Sequence, residues 1–194
     1  MAHVIRARGL GKRFGDRRVL AGVDLDVPAG GFLLVTGPNG SGKTTLLRLL
    51  AHLAAPSSGE LELPERHRLG YLGHDPLVYR ELTPLENLTL FARLYRVSER
   101  GERVGMLLER FGLWNVRHQR VGSFSRGMQQ RLGLCRVLLH DPELLVLDEP
   151  TNALDADGLA LLDDVLADAQ RTRVVATHDP GRVEGLATVR LALA

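Results

Sequence analysis

The run Gly37-Pro38-Asn39-Gly40-Ser41-Gly42-Lys43-Thr44-Thr45 constrains this chain more than any other feature. It follows the apolar stretch Phe32-Leu33-Leu34-Val35-Thr36 and opens a segment carrying Leu46, Leu47, Leu49, Leu50 and Leu53. An apolar run of that length without alternation reads as a strand buried on both faces, and the leucine spacing after it is helical. Glycines in a strand-to-helix turn let successive backbone N–H groups point inward, and the new helix adds its positive end. Such a cradle binds phosphate. Lys43 is then placed to reach the β- and γ-phosphates of a nucleotide, and the Thr44 hydroxyl to bind Mg²⁺.

Two more continuous apolar runs, Leu144-Leu145-Val146-Leu147 and Val174-Val175-Ala176, read as buried parallel strands. The three runs stop at or just before polar or glycine positions: Gly37, Asp148 and His178. Open α/β sheets bind ligands beyond the carboxyl ends of their strands, so three ends converge on one place. There Asp148 is suited to hold Mg²⁺ through water, and Glu149 to polarise an attacking water as a general base.

The flanking sequence reads as short β segments before residue 35 and as helix over about 83–140. Val4 to Arg8 leads into Gly9, Gly11 and Gly15. Val19 to Val27 alternates Val23, Leu25 and Val27 with Asp24 and Asp26, as on a half-buried antiparallel strand. Thr83, Pro84 and Glu86 form a helix-start signature ahead of Leu85, Leu88, Phe91, Ala92 and Tyr95. Further helices are expected over about 100–111, from near Ser125 to near His140, and over about 157–170, with a last strand at about 187–193.

Composition adds exclusions. A net charge of +2 over 194 residues does not point to nucleic acid, and none is expected as a partner. The Arg-rich stretch 96–136 reads as a solvated face. Cys135, the single cysteine, lies in an apolar run and reads as a buried structural thiol. Met1-Ala2-His3-Val4-Ile5-Arg6 has no apolar signal region, and no stretch reaches the roughly 18 apolar residues of a membrane span. The expected location is cytoplasmic, with any membrane attachment made through a partner.

Ser125-Arg126-Gly127-Met128-Gln129-Gln130-Arg131, shortly before Asp148-Glu149-Pro150-Thr151, resembles the signature motif of ABC ATPases. The family's usual form is Leu-Ser-Gly-Gly-Gln. Ser125 and Gly127 keep it, while Arg126 and Met128 depart from it. Ser125 is also a good helix N-cap, and a helix starting there offers free N–H groups to an anion. In the family that anion is the γ-phosphate of ATP held by a second copy, so the resemblance implies a homodimer in the ATP-bound state. Asn152-Ala153-Leu154-Asp155 resembles the D-loop, which crosses the dimer interface. His178 resembles the switch histidine that contacts the γ-phosphate. Phe14, in Lys12-Arg13-Phe14-Gly15, resembles the aromatic residue that stacks on adenine. His74, in Tyr71-Leu72-Gly73-His74-Asp75-Pro76, stands where the family has glutamine, and an imidazole also contacts a phosphate or a metal-bound water.

The resemblance implies a single α/β P-loop NTPase domain over 1–194, of the ABC ATPase fold. A mainly parallel sheet core and an antiparallel β subdomain are expected over about 1–74 and 141–194. An inserted helical subdomain carrying the signature motif is expected over about 75–140. It further implies ATP and Mg²⁺, an integral membrane transporter subunit as partner, and a place on the cytoplasmic face of the membrane. Gly73-His74, the helix opening Leu82-Thr83-Pro84-Leu85-Glu86-Asn87-Leu88 and the minimal length resemble the ATP-binding subunits of cytochrome c maturation, the haem-export, CcmA-like group. Another small exporter ATPase, for a drug or lipid, is the alternative. A P-loop kinase lacks the signature motif, and a DNA-repair or translation ATPase needs coiled-coil insertions or a second ATPase domain.

Overall fold

The computed structural model describes residues 3–194. Met1 and Ala2, part of the N-terminal stretch read for a signal region, lie outside the described residues. Two long strands, β1 (His3–Phe14) and β2 (Arg17–Pro28), form an antiparallel hairpin. The phosphate-loop unit follows as β3 (Phe32–Thr36) and α1 (Lys43–Leu50). Next come β4 (Ser58–Glu62) and β5 (Leu69–Leu72), then α2 (Pro84–Leu94), α3 (Arg100–Arg110) and α4 (Arg126–Leu138). The chain returns through β6 (Leu144–Asp148), α5 (Ala156–Ala167), β7 (Thr172–Ala176) and β8 (Val189–Ala192).

There are two sheets. One is antiparallel with the order β2-β1-β4; the other has five parallel strands in the order β5-β6-β7-β3-β8. Strand side chains alternate between faces, and this divides the interior in two. Leu33, Val35, Leu144, Val146, Val174 and Ala176 pack with α1 and the hairpin residues Ile5, Leu25 and Val27. Phe32, Leu34, Leu145, Leu147 and Val175 face the other way, onto Leu88, Leu107, Leu134 and Leu162 of the helices. Burial on both faces is why β3, β6 and β7 read as unbroken apolar runs.

Local signals set the helix starts. Thr83 caps α2: its Oγ1 accepts from the Glu86 amide at 3.2 Å, and Glu86 Oε2 accepts from the Thr83 amide at 2.8 Å. That bond from Thr83 holds the Glu86 carboxyl below its ordinary pKa. Ser125 caps α4, accepting from the Met128 amide at 3.2 Å. Cys135 is fully buried as expected, and burial pushes its thiol pKa up.

Several expectations need correction. The first strand does not end near Arg8 but continues through Gly9 and Gly11 to Phe14, with register shifts after Ala7 and Leu10. β4 and β5 lie where no strand was expected. The fourth helix ends at Ala167, before the turn in which Asp168 binds Arg171. The Arg-rich stretch is not uniformly solvated either. Arg103 donates to the Leu138 and Leu139 carbonyls, and Arg136 is buried.

Candidate functional site

The carboxyl ends of β3, β5, β6 and β7 border one cleft of about 580 Å³. Phe14, Asn39, Gly40, Gly42, Lys43, Thr44, Thr45, His74, Asp148, Glu149 and His178, all singled out in the sequence, line it. β5 supplies a fourth strand end, which delivers His74. Gly37 and Pro38 stand behind the lining, where Lys43 Nζ donates to their carbonyls at 2.7 and 3.1 Å. Gly42 caps α1 at φ 100°, a left-handed conformation that favours glycine. No acidic side chain stands in the first turn of α1, so no like charge opposes an anion at its positive end.

The acidic end of β6 is tightly set. Asp148 is 3% exposed, and its Oδ2 is buried without a partner. Burial lifts its pKa above the ordinary carboxylate value, and the neighbouring Glu149 lifts it further; the Thr44 hydroxyl, His74 and Lys43 pull the other way. Glu149 adopts φ 50°, and its amide donates to the Ala176 carbonyl at 2.9 Å. A positive φ is strained for a non-glycine residue, and the Glu149 Oε2 lies 2.9 Å from His178 Nδ1. The Ser41 Oγ is likewise buried without a partner.

Among the described residues no group of three or more His, Cys, Asp or Glu side chains could hold a metal. Thr44 and Asp148 suit Mg²⁺ nonetheless, because that ion keeps several waters and takes its remaining ligands from substrate phosphates. The unpartnered Asp148 Oδ2 is an oxygen free for such a role. Phe14 is 53% exposed at the rim, with Lys12 Nζ 5.1 Å from its ring centroid. It is not a core residue, and its ring offers a free face.

Ser125, Gly127 and Asp155 do not line this cleft. They line a second one, of about 950 Å³, with Asp75, Pro76, Arg126, Gln129, Gln130, Asn152 and Ala153. His74 lines both. A β-carbon at Gly127 would stand 2.8 Å from the Ala153 carbonyl, so the start of α4 lies close against the 152–155 loop. Asp155 does structural work there: Oδ1 caps α5 by accepting from the Gly158 amide at 2.9 Å, and Oδ2 pairs with Arg131 at 3.0 Å. Two residues of the first cleft were missed, Arg17 and Val19. The Gly15-Asp16 turn pairs Arg17 with Phe14, so the hairpin register was the signal that would have placed Arg17.

The sequence profile of the family described as ABC transporter matches residues 20–152. The chain is similar to the cytochrome c biogenesis ATP-binding export protein CcmA of Cupriavidus necator, at 40% identity over 97% of this chain and 88% of that one. It is also similar to the uncharacterized ABC transporter ATP-binding protein YdbJ of Bacillus subtilis, at 36% identity over 94% of this chain and 64% of YdbJ. Among solved structures, the dimeric post-hydrolysis state of the ATP-binding cassette MJ0796, bound to ADP and Pi, superposes with a TM-score of 0.84 and 27% identity. That match covers 98% of this chain and 94% of the other.

Proposed function

This chain belongs to the ABC transporter family of ATP-binding proteins, and from that premise we propose that it binds and hydrolyses ATP to drive a separate membrane subunit. One observation carries the reading: Lys43, Thr44, Asp148, Glu149 and His178 share a cleft whose rim holds the exposed ring of Phe14.

The roles follow from the chemistry of each group. Residues 39–45 present backbone N–H groups and Lys43 to the phosphates, and Phe14 stacks on the adenine. Thr44 and Asp148 hold Mg²⁺, which neutralises phosphate charge when bound. Glu149 takes the proton of the attacking water. His178 orients the γ-phosphate end of the site, and its ring nitrogen 2.9 Å from Glu149 Oε2 restrains that carboxylate. Positioning and charge stabilisation supply most of the rate.

Ser125 and Gly127 serve a second copy's site. Their cleft has a capped helix start but no phosphate loop, which suits the closure of a partner's nucleotide in a two-fold dimer. Among the described residues no helix is long and apolar enough to cross a membrane. The location proposed is peripheral, on the cytoplasmic face, held by the membrane partner. Haem export in cytochrome c maturation is the cargo we favour, supported by His74 after Gly73 and by the similarity to CcmA.

The test replaces Glu149 with Gln. Turnover is expected to fall by about 10²-fold or more while ATP still binds. Unchanged turnover would remove Glu149 from its role. Trapping the same variant with ATP in native membranes sharpens the cargo: co-purified cytochrome c maturation subunits support haem export, and a drug or lipid exporter subunit replaces it.

A further inference from the structure

Arg136 is 5% exposed and lies eleven residues beyond Ser125 in α4, about 16 Å along the axis. A buried guanidinium needs its donors satisfied, and here backbone oxygens do most of that. Nη2 donates to the Tyr71 carbonyl at 2.8 Å, Nε to the Pro76 carbonyl at 3.2 Å, and Nη1 to the Tyr95 hydroxyl at 3.4 Å. The cation lies 5.4 Å from the centre of the Phe91 ring. No carboxylate pairs with it among the described residues.

The two carbonyls bracket the segment that carries His74. Tyr71 precedes it on β5 and Pro76 follows it. The same helix face presses on the same segment: a β-carbon at Gly133 would stand 2.7 Å from Pro76 Cβ and 3.0 Å from Leu72 Cδ1. Beyond Pro76, the buried Asn87 of α2 fixes the chain again, accepting from the Tyr79 amide at 2.8 Å and donating to its carbonyl at 2.9 Å. The loop is thus gripped before and after His74 by one side chain of the helix whose cap is Ser125.

We propose that Arg136 is a positioning residue: its fork ties the 71–76 segment to α4, so that His74 and the Ser125 helix start move as one body between the two clefts. This rests on the ATPase reading above. A movement of α4 toward or away from a second copy's nucleotide then shifts His74 in the chain's own phosphate cleft, without Arg136 touching either ligand. The planar fork is the point, because a lysine ammonium can keep the charge but cannot span both carbonyls.

The experiment uses the full chain as wild type, Arg136→Lys and Arg136→Met. It reads kcat and KM for ATP, the Kd for MgADP, the melting temperature, and the ¹³C-labelled His74 ring signal assigned through His74→Gln. Arg136→Lys is expected to fold and to bind MgADP within about twofold of wild type. Its kcat should fall about ten- to hundredfold, the cost of misplacing a group by about an ångström, and its His74 signal should shift or broaden. The methionine variant should show the same split if it folds; if it does not, the lysine variant carries the test. Wild-type kcat with an unmoved His74 signal in Arg136→Lys overturns the proposal. So does a parallel loss of MgADP affinity, which would mark a general structural role. If wild type hydrolyses no ATP and Lys43→Ala changes nothing, the ATPase reading fails instead, and the His74 signal still decides whether Arg136 sets that segment.

Discussion

The two clefts that share His74 are built by different means. The smaller is assembled from four parallel strand ends and a loop, with Asp148 buried at its base. The larger is bordered by the start of one helix and two loops, and its distinctive group is the capped N-terminus of α4. Strand ends in a sheet packed on both faces cannot move independently, so the first cleft holds Asp148, Glu149 and the Lys43 loop in fixed relation, while His74 is tied to α4. A helix start presents donors that a mobile partner can meet or leave. On the proposed reading the first cleft carries the chemistry and the second carries the switch, and neither is a complete site in one copy.

That contrast can be broken at graded cost. Lys43→Ala acts on the first cleft and is expected to lower ATP turnover by about 10²–10³-fold or more, since it removes a fixed positive group from the developing phosphate charge. Steady-state phosphate release measures it; retained turnover would misplace the chemistry. Ser125→Ala acts on the second cleft. It should leave the affinity of one copy for MgADP unchanged, lower turnover about tenfold, and cost roughly 1 kcal/mol of stability as a lost cap. Calorimetric unfolding with an ATPase assay checks both halves. Thr83→Ala is the control outside both clefts: about 1 kcal/mol of stability lost and kinetic constants unchanged. Its capping box also has a pH signature. The lowered pKa of Glu86 contributes stability that is fully present above the carboxyl's ordinary pKa and is lost as pH falls through the lowered one. Thr83→Ala should flatten that part of the acid unfolding curve.

Legibility in the sequence followed the same divide. β3, the phosphate loop and the α2 start were readable because each is local: a buried run, a glycine pattern, a cap three residues from its partner. β5 was not, because a four-residue Leu-Gly-Tyr-Leu strand carries little pattern of its own. Gly70 is explained only by Val137 and Pro142, distant in sequence: its β-carbon would stand 2.7 Å from Val137 Cγ1 and 3.0 Å from Pro142 Cγ. β4 was missed because it is an edge strand, mostly exposed, with Leu61 half-turned inward. Asp148 and His178 are legible as residues at or just beyond buried strand ends, whereas Phe14 and His74 are placed only through the family resemblance. Asp155 shows the opposite case. The resemblance places it in a loop that crosses a dimer interface, while within one copy its bonds are a helix cap and an ion pair with Arg131. Arg136 was invisible in advance because the carbonyls that its fork spans are main-chain groups, which no residue pattern announces.

On the proposed reading, one copy's Ser125 helix start closes the nucleotide held by another copy's Lys43 loop. The most direct measurement is the solution mass of the Glu149→Gln chain with ATP and Mg²⁺, with and without Ser125→Arg added. The account predicts twice the 21.3 kDa chain for the first and the single-chain mass for the second, with ATP bound in both. A single-chain mass for ATP-loaded Glu149→Gln, or an equal dimer once Ser125 is arginine, would contradict it.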